Sequence, residues 1–431
     1  MGSSHYISNN SRSVAYYRIN IMSNIREKII SLAIILCSFI SYSQQFCGTD
    51  EYNQELINEV PEHYQEIEEQ IQNYLKGNKL KSEEVVVIPV VFHIVWLDDR
   101  QNLPKEVIKD QLEVLNASFN AQNSDTSILT DTLKNWVGNF KIRFELAHID
   151  PNGLVTNGIT RTKTINPHFS YYGDPVKKPH YGKEPWPTDR YLNIWVCNLI
   201  DGFHGYAQFP GGPHETDGVV VDWQTFGNRS YSWTYPISEN LACGKVLVHE
   251  IGHWLNLYHP WGNDPLGCAN DYIPETGLQE VPVYHYDDCL DTLISTCNLI
   301  DRVFVKHYMD YSGCDCMVAF TKNQVERGLA SLYTYREKLI SNHQPIPSTS
   351  DFSNININPT LTTGTFYVSL PENNEGIEIL IFDLNGRIIS NVNAGGENLI
   401  IFNIEDKSNG VYFVVVKALG EYILSRKILK Y

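Results

Sequence analysis

Three histidines and a glutamate lie close together in the stretch VLVHEIGHWLNLYHP, residues 246–260. His249 and His253 are four residues apart, so on a helix both imidazoles project from one face and can bind one metal ion. Glu250 follows the first histidine and can act there as a general base on water. The stretch predicts either a zinc hydrolase site or a core helix whose histidines form local hydrogen bonds.

His259 favours the metal site. To bring a ligand six residues after His253 back to the same ion, the chain must leave the helix sharply. Such a turn needs a residue in the left-handed conformation, usually glycine. Asn256 lies at about that position, and asparagine is the next most tolerant residue there. The sequence therefore predicts three ligands, His249, His253 and His259, with Asn256 at the bend.

The charge of the chain limits its partners. Its 431 residues carry 50 acidic and 33 basic side chains, which gives a net charge of −17. This excess of negative charge argues against a nucleic-acid partner and would keep a secreted protein soluble. The length allows two or three domains with cores of their own.

Residues 1–43 have the pattern of a targeting sequence. Ile29–Ile40 is a twelve-residue apolar segment that follows basic residues and precedes the small-x-small pattern Ser41-Tyr42-Ser43. This arrangement is typical of a secretory signal peptide with its natural start at Met22, and the segment is too short for a typical membrane span. The sequence therefore predicts export without a transmembrane anchor.

Three regions follow the signal peptide. Residues 44–84 are polar and acidic, with a helical stretch at Glu55–Leu75 and a lysine-bearing linker, KGNKLKSEE, at their end. Residues 85–345 hold most of the apolar periodicity. In them VVVIPVVFHIVW and FKIRFELAHI are predicted strands, and LPKEVIKDQLEVLNASFN is a predicted amphipathic helix. This mixture of elements predicts an α/β domain.

The last region, residues 346–431, has a different pattern. Its short alternating segments are FYVSL, IEILIFDL, GVYFVVVKA and YILSRKIL, with Asn-Gly turns at Asn385-Gly386 and Asn409-Gly410. Alternation with Asn-Gly turns is typical of β-hairpins. The region is therefore predicted to be a small β-sandwich.

Nine cysteines are present, and five of them cluster late in the α/β region. These five are Cys268, Cys289, Cys297, Cys314 and Cys316. In an oxidising compartment such a cluster predicts disulfides that hold a loop-rich region. A structural zinc site is the alternative, but it favours regular CxxC pairs, which this sequence lacks.

The stretch HEIGHWLNLYH resembles the extended zinc motif HExxHxxGxxH of the metzincin metallopeptidases, with Asn256 as the one departure. HYMDYSGCDCMVAFTKNQ is similar to their methionine turn and supplies Met309 and Tyr311. Gly-His-Trp-Leu, YLNIWVCNL and GYAQFPGGPHETDGVVVD are similar to the pappalysin (cytophagalysin) branch. The resemblance covers roughly residues 86–340. It implies an α/β (α+β) metzincin-type catalytic domain with a zinc helix and a methionine turn.

The resemblance also implies a function, a secreted zinc-dependent endopeptidase that acts on proteins or peptides. The zinc ligands would be His249, His253 and His259, and Glu250 would be the base that activates water for attack on a peptide carbonyl. Tyr311 would stabilise the tetrahedral intermediate by a hydrogen bond to the oxyanion. Met309 would be a structural floor under the histidines.

Two features around the cleft follow from the same resemblance. The strand GVVVD, residues 218–222, would border the cleft and hold the substrate by backbone pairing. The pairing pattern of the family would join Cys268 to Cys297 and Cys289 to Cys316, and would leave Cys197, Cys243 and Cys314 unassigned.

A calcium site is implied near CANDYIPET, where Asp271 and Thr276 match the ligand positions of the family. Glu275 stands where an aspartate is usual. Calcium needs hard oxygen ligands. The alternative is an acidic, solvated loop that binds no metal.

The N-terminal segment FCGTDE resembles the pro-segment motif in which a cysteine thiolate occupies the zinc before activation. Residues 44–84 would then be the pro-segment of a latent zymogen, and Cys47 would be a zinc ligand in the latent proform. The alternative is that Cys47 forms a disulfide with one of the unassigned cysteines.

The C-terminal region resembles the type A sorting domain of the type IX secretion system, in NPTLTTGTFYVSL, IFDLNGRII, NGVYFVVVKA and SRKILKY. This implies the type IX machinery as a partner, and export through the periplasm to the surface or surroundings of a Bacteroidetes-type bacterium. The alternative is a carbohydrate-binding sandwich, although the strands show no obvious exposed aromatic platform.

One position in the segment that resembles the methionine turn bears on the cleavage preference. Relatives that prefer arginine just after the cut carry an acidic residue two positions before the last cysteine of the methionine turn. That position is Cys314 here, with Asp315 one residue later, so we expect a weaker preference for arginine.

The rival function is a catalytically dead surface adhesin with a structural zinc. Such relics usually lose the base or a ligand, and this sequence retains all four residues.

Overall fold

The computed structural model describes residues 47–77, 85–152, 156–200, 202–228, 241, 243–262, 267–284, 289–300, 302–341, 355–371, 374, 376–418 and 421–431. The predicted signal peptide and most of the lysine-bearing linker lie outside these residues. Among the described residues, no helix combines the length and the apolar character needed to cross a membrane.

A six-stranded sheet forms the centre of the α/β region. Its strands are β1 (Val86–Trp96), β2 (Ile142–Leu146), β3 (Ile159–Lys163), β4 (Leu192–Cys197), β5 (Gly205–Ala207) and β6 (Val219–Asp222). β1 pairs in parallel with β2, β3 and β4, and β4 pairs in parallel with β6. β5 is antiparallel to β6. The near-continuous apolar sequences of β1 and β4 suit a sheet that is covered on both faces.

The prediction that the strand GVVVD pairs with the substrate backbone is wrong, because this strand does not lie at the edge of the sheet. GVVVD forms β6, which lies between β4 and β5 and therefore has no free backbone edge for a substrate. β5 is the edge strand, because the chain turns back after β4 and pairs antiparallel with β6. A strand of three residues is too short to show alternation, so the sequence pattern gave no sign of it.

Seven helices are described. They are α1 (Thr49–Glu59), α2 (Pro61–Gly77), α3 (Lys105–Phe119), α4 (Asp131–Lys134), α5 (Lys245–Trp254), α6 (Lys322–Tyr335) and α7 (Glu337–Ser341). α3, α5 and α6 share one hydrophobic core with the sheet, in which Phe92, Leu115 and Leu247 are fully buried. A short hairpin of β7 (Thr292–Ile294) and β8 (Arg302–Phe304) lies in the cysteine-rich part.

The helical stretch predicted at Glu55–Leu75 is in fact two helices. α1 ends at Glu59, and Pro61 begins α2. Proline has no N–H to donate and fits only the first turn of a helix, so the chain restarts there. α2 packs against α6, where the Glu68 carboxylate accepts two hydrogen bonds from the Arg327 guanidinium, at 2.8 and 2.6 Å.

The C-terminal region is a two-sheet β structure, and the predicted sandwich is confirmed. Its strands are β9 (Asn356–Asn358), β10 (Leu361–Thr362), β11 (Thr365–Ser369), β12 (Ile377–Asp383), β13 (Ile388–Asn393), β14 (Leu399–Asn403), β15 (Gly410–Ala418) and β16 (Glu421–Lys430). The sheet orders are β10-β16-β15-β12-β13 and β14-β11-β9, with one apolar core that draws on both. Asn385-Gly386 joins the β12–β13 hairpin. Asn409-Gly410 differs from the prediction, since it leads from one sheet to the other.

Candidate metal centre

Helix α5 carries the first two predicted ligands through the interior of the protein. All ten of its residues are buried, including His249, Glu250 and His253. The helix is preceded by Gly244, whose φ of 71° is a left-handed conformation that suits glycine. A buried helix with four titratable side chains, these three and Lys245, needs partners for each of them.

The three predicted histidines meet at one point. Their Nε2 atoms are separated by 3.0 Å between His253 and His249, 3.1 Å between His253 and His259, and 3.2 Å between His259 and His249. Tetrahedral nitrogen ligands about 2.0 to 2.1 Å from a zinc ion lie about 3.3 Å from one another. The spacing of these atoms therefore suits a shared metal ion.

The opposite ring nitrogens set the tautomers. Each Nδ1 donates a hydrogen bond of 2.7 Å, from His249 to the Tyr308 carbonyl, from His253 to the Leu257 carbonyl and from His259 to the Asp50 carboxylate. Since a carbonyl only accepts, Nδ1 carries the proton in the first two rings, and in the neutral rings the lone pairs lie on Nε2. Burial, followed by the nearby His259 ring, lowers the pKa of His249 and His253 well below the usual range. Three Nε2 atoms whose lone pairs converge on one point are a set of ligands that fits zinc.

Asn256 makes the bend that brings His259 to this point. Its φ is 70°, and its N–H donates to the His253 carbonyl at 2.7 Å. The Asn256 carbonyl in turn accepts a 2.8 Å hydrogen bond from Arg327 Nε. The left-handed conformation that was inferred from the sequence is the one that the structure adopts.

We expect Asn256→Gly to keep its metal and its activity, because glycine adopts this conformation at least as easily. The free energy of unfolding should change by no more than about 1 kcal/mol. Asn256→Val is the matched control, since a β-branched residue at positive φ is strained and should displace His259. Zinc content and thermal unfolding of both variants check this. Loss of zinc in Asn256→Gly would show that the amide side chain has a role of its own.

Met309 lies directly under the helix. It is fully buried, and a Cβ placed on Gly252 would come within 2.4 Å of its Sδ atom. Only glycine at position 252 lets the methionine approach α5 so closely. The backbone of the same turn also holds a ligand, since the Tyr308 carbonyl is the partner of His249. This turn therefore orients His249 as well as packing beneath the helix that carries it.

Glu250 lies between the histidines and the edge strand β5. Its side chain is fully buried, and a Cβ on Gly205 would come within 2.6 Å of its Cγ. Burial raises the pKa of Glu250 to about 8, although hydrogen bonds from Cys47 and Thr49 oppose the rise. Among the described residues, its Oε1 atom has no hydrogen-bond partner. A buried carboxylate oxygen with no protein donor is available to a water molecule at this point.

The segment Cys47–Asp50 fills the rest of the site. Cys47 Sγ and one ring nitrogen from each of the three histidines all lie within 4.8 Å of one another. The Cys47 thiol lies 3.4 Å from the Glu250 carboxylate, to which the Thr49 hydroxyl also donates at 3.0 Å. Asp50 holds His259. Four consecutive residues therefore cover the three histidines and the neighbouring carboxylate together.

Tyr311 forms one wall of the same site. It is 4% exposed, and its ring centroid lies 5.7 Å from that of His249 and 5.2 Å from that of His259. Burial raises the pKa of Tyr311 well above its usual range, so the phenol keeps its proton. A protonated phenol can donate a hydrogen bond.

The cysteines form three disulfides. Two of them, Cys268–Cys297 and Cys289–Cys316, are the pairs implied by the family resemblance, and the third is Cys243–Cys314. Cys47 and Cys197 are the unpaired cysteines of the described chain, and both are buried. A zinc site built from the late cluster is therefore ruled out, because disulfide-bonded sulfurs are not available as thiolate ligands.

The implied calcium ligands are occupied by protein contacts. Asp271 accepts hydrogen bonds from the Thr276 hydroxyl at 2.7 Å and from the Ile273 N–H at 3.0 Å. Burial raises the pKa of Asp271 to about 7. Glu275 accepts from the Asn323 N–H at 3.0 Å, at the start of α6, and so faces a helix N-terminus. Calcium at this place stays a prediction.

Several site residues were not predicted from the sequence. Thr49 and Asp50 bind Glu250 and His259, while Gly205 and Gly252 leave room for Glu250 and Met309. The two pro-segment residues lie inside the quoted FCGTDE motif, which was the available signal. The two glycines had no local signal, because their neighbours come from distant parts of the chain.

Comparison with known proteins gives two family matches. Residues 177–332 match the family described as pregnancy-associated plasma protein-A, and residues 354–430 match the secretion system C-terminal sorting domain. Among curated proteins, an extracellular metalloprotease of Colletotrichum graminicola is 26% identical over 272 residues, which are 60% of this chain and 80% of that protein.

Two solved structures are similar over the α/β region. A promirolysin mutant of Tannerella forsythia is 35% identical, with 69% of this chain and 97% of that chain covered and a TM-score of 0.61. Mature mirolysin of the same organism, in complex with a cleaved peptide, is 38% identical, with 60% of this chain and 97% of that chain covered and a TM-score of 0.55. The predicted fold class is confirmed.

Proposed function

Since this chain belongs to the pappalysin family of metalloendopeptidases, we propose that it is a secreted, zinc-dependent enzyme that cuts proteins and is made as a latent zymogen. The observation that carries the proposal is the convergence of three histidine Nε2 atoms beside a buried carboxylate. His249, His253 and His259 would hold the zinc, and Glu250 would be the general base.

Zinc bound there would act as a Lewis acid that polarises the peptide carbonyl and makes water a better nucleophile. Glu250 would accept the proton of the attacking water through its unpartnered Oε1 atom. Tyr311 would donate a hydrogen bond to the carbonyl oxygen as that atom gains negative charge. The free edge of β5 would align the substrate by backbone pairing, since Gly205 brings that edge against Glu250.

Latency would come from residues 44–84 acting as the pro-segment. Cys47 would complete the ligand set of the metal as a thiolate in the latent form, while the Thr49 hydroxyl occupies the base. The free, buried state of Cys47 supports this role over a disulfide. Activation would then require removal of the segment, with residues 85–345 as the catalytic domain.

The similarity to a secretion system sorting domain supports export by the type IX route. We assign residues 346–431 to that domain, with the type IX machinery as partner, and residues 1–43 to the N-terminal extension and signal peptide. The extracellular relative supports a secreted location. The sorting-domain match supports a secreted or cell-surface location in a Bacteroidetes-type bacterium.

Gelatin or azocasein hydrolysis by the activated chain tests the proposed function. We expect hydrolysis that a chelator removes. The alternative, a dead adhesin with structural zinc, predicts none in either condition. Burying the Glu250 carboxylate beside the histidines costs desolvation free energy, and a purely structural zinc site would not need that carboxylate. The intact carboxylate therefore favours the enzyme over the adhesin.

The cleavage preference should be weaker for arginine than in relatives with an acidic residue at position 314. The Cys314 sulfur is bound to Cys243, so it offers a guanidinium no paired acceptors. Asp315 is exposed, which places its carboxylate toward solvent. The cleavage-site profile on a denatured proteome, read by mass spectrometry, checks this. A profile dominated by arginine just after the cut, and abolished by Asp315→Ala, would contradict it.

A further inference from the structure

A second buried polar cluster lies beside the edge strand β5. Asp174 and Lys177 come from the loop between β3 and β4, and Tyr206 and Gln208 come from β5 and its continuation. All four are 5% exposed or less. A charged pair at this depth carries a large desolvation cost and therefore needs close partners.

Tyr52 of α1 completes this cluster. Its hydroxyl donates to Asp174 Oδ2 at 2.6 Å, accepts from Lys177 Nζ at 3.3 Å and lies 3.2 Å from Gln208 Oε1. Its ring centroid lies 5.1 Å from that of Tyr206, and Lys177 Nζ lies 4.8 Å from the Tyr52 centroid. The cluster therefore makes specific contacts with both the ring and the hydroxyl of a tyrosine.

The remaining members hold the shape of the cluster without Tyr52. Lys177 Nζ lies 3.1 Å from Asp174 Oδ1, which also accepts from the Tyr206 hydroxyl at 2.9 Å. Lys177 also donates to the Thr216 carbonyl at 2.7 Å. If Tyr52 leaves, a tyrosine-sized cavity opens, and Asp174 Oδ2 loses its 2.6 Å donor.

The segment that carries Tyr52 uses the free edge of β5. The Gly48 N–H donates to the Gly205 carbonyl at 2.9 Å, and the Thr49 hydroxyl accepts from the Ala207 N–H at 2.9 Å. The Asn53 side chain then donates to the Ala207 carbonyl at 2.8 Å. A substrate that pairs with β5 would use these same backbone groups.

This proposal rests on the proposed function, in which the pro-segment leaves on activation. We propose that the cavity filled by Tyr52 becomes a substrate subsite for a tyrosine side chain. Gly205 is level with Glu250, and Gln208 is three residues further along. At about 3.3 Å per residue this is about 10 Å. The tyrosine would therefore be the third or fourth residue from the cut bond.

The subsite should distinguish tyrosine from phenylalanine. The phenol donates to Asp174 Oδ2, whereas a phenylalanine ring would bury that oxygen without a donor. A site that hydrogen-bonds a hydroxyl discriminates strongly against the analogue that lacks it. We expect at least about a tenfold difference in kcat/KM between the two side chains, which corresponds to about 1.4 kcal/mol.

Tyrosine scanning tests the subsite in the activated chain, with the pro-segment removed by limited proteolysis in its lysine-bearing linker. Tyrosine, phenylalanine or alanine is placed at successive positions of a quenched fluorescent peptide with a single cut site. Tyrosine should be preferred at one position only, the third or fourth from the cut. Asp174→Asn should remove the tyrosine-over-phenylalanine preference, since the oxygen that distinguishes the two side chains is changed. Equal rates for tyrosine and phenylalanine at every position would overturn the proposal.

A binding measurement keeps the proposal testable if Asp174→Asn does not fold or the chain cuts no peptide. Synthetic peptides of residues 47–59, with the natural Tyr52 or with Tyr52→Phe, are titrated into the activated wild-type chain by calorimetry. We expect at least a tenfold weaker Kd for Tyr52→Phe, about 1.4 kcal/mol. If the chain cuts no peptide but shows this difference in affinity, the tyrosine cavity is supported and the proposed enzymatic function is rejected. Equal affinities of the Tyr52 and Tyr52→Phe peptides would overturn the proposed tyrosine subsite.

Discussion

Glu250→Ala is expected to lower kcat/KM for peptide hydrolysis by about a thousandfold, because general-base catalysis typically contributes between about a hundredfold and ten-thousandfold. The three histidines do not depend on the Glu250 side chain for their hydrogen bonds, which go to Tyr308, Leu257 and Asp50. The variant should therefore retain its zinc. Initial rates on a fluorogenic peptide, measured with the activated chain, give the loss.

A matched control separates this effect from the loss of any carboxylate. Glu326 is exposed on α6, and Glu326→Ala should leave kcat/KM within about twofold of the wild type, as expected for a surface substitution away from the site. Near-normal hydrolysis by Glu250→Ala would exclude Glu250 as the base, whatever its zinc content.

Cys47→Ala in the zymogen is expected to raise basal hydrolysis at least about tenfold, or to speed self-cleavage of the pro-segment. The thiol is a fourth donor beside the three histidines and also contacts Glu250, so its removal uncovers both the metal position and the base. Tenfold corresponds to about 1.4 kcal/mol of lost docking energy. The Thr49 and Asp50 contacts remain, and for that reason the variant should stay partly latent.

Cys197→Ala is the matched control for this experiment. Cys197 is the other unpaired, buried cysteine of the described chain, and it ends β4. Its removal should leave basal hydrolysis low, because in the described part of the chain Cys197 packs in a different cluster from the three histidines. Equal latency of Cys47→Ala and the wild type would reject the thiol as the latency device. Mass mapping that found Cys47 in a disulfide in the zymogen would reject it too.

The convergence of the three histidines can be predicted from the sequence because most of its determinants are local. His249, His253 and His259 lie within eleven residues, so helical spacing and one bend decide where their rings go. Asn256 could be interpreted for the same reason, since the conformation needed at a helix end follows from the position of the next ligand.

The parts that were missed depend on contacts between distant segments. Thr49 meets Glu250 across 201 positions, and Asp50 meets His259 across 209. The family resemblance points to β6 as the substrate edge, whereas β5 is too short for a sequence pattern to reveal it. Cys243–Cys314 could not be chosen from the sequence, because three unassigned cysteines allow several pairings.

The proposed function requires that three histidines hold one zinc ion on which hydrolysis depends. The most direct test is to titrate zinc into the activated chain after its metal has been removed by a chelator, and to follow peptide hydrolysis. We predict that activity returns in proportion to added zinc and stops rising at one equivalent per chain. His253→Ala should show no such return, since two of the three ring nitrogens cannot retain the ion as tightly. Full hydrolysis by the metal-free chain, or by His253→Ala, would contradict the proposed zinc-dependent function.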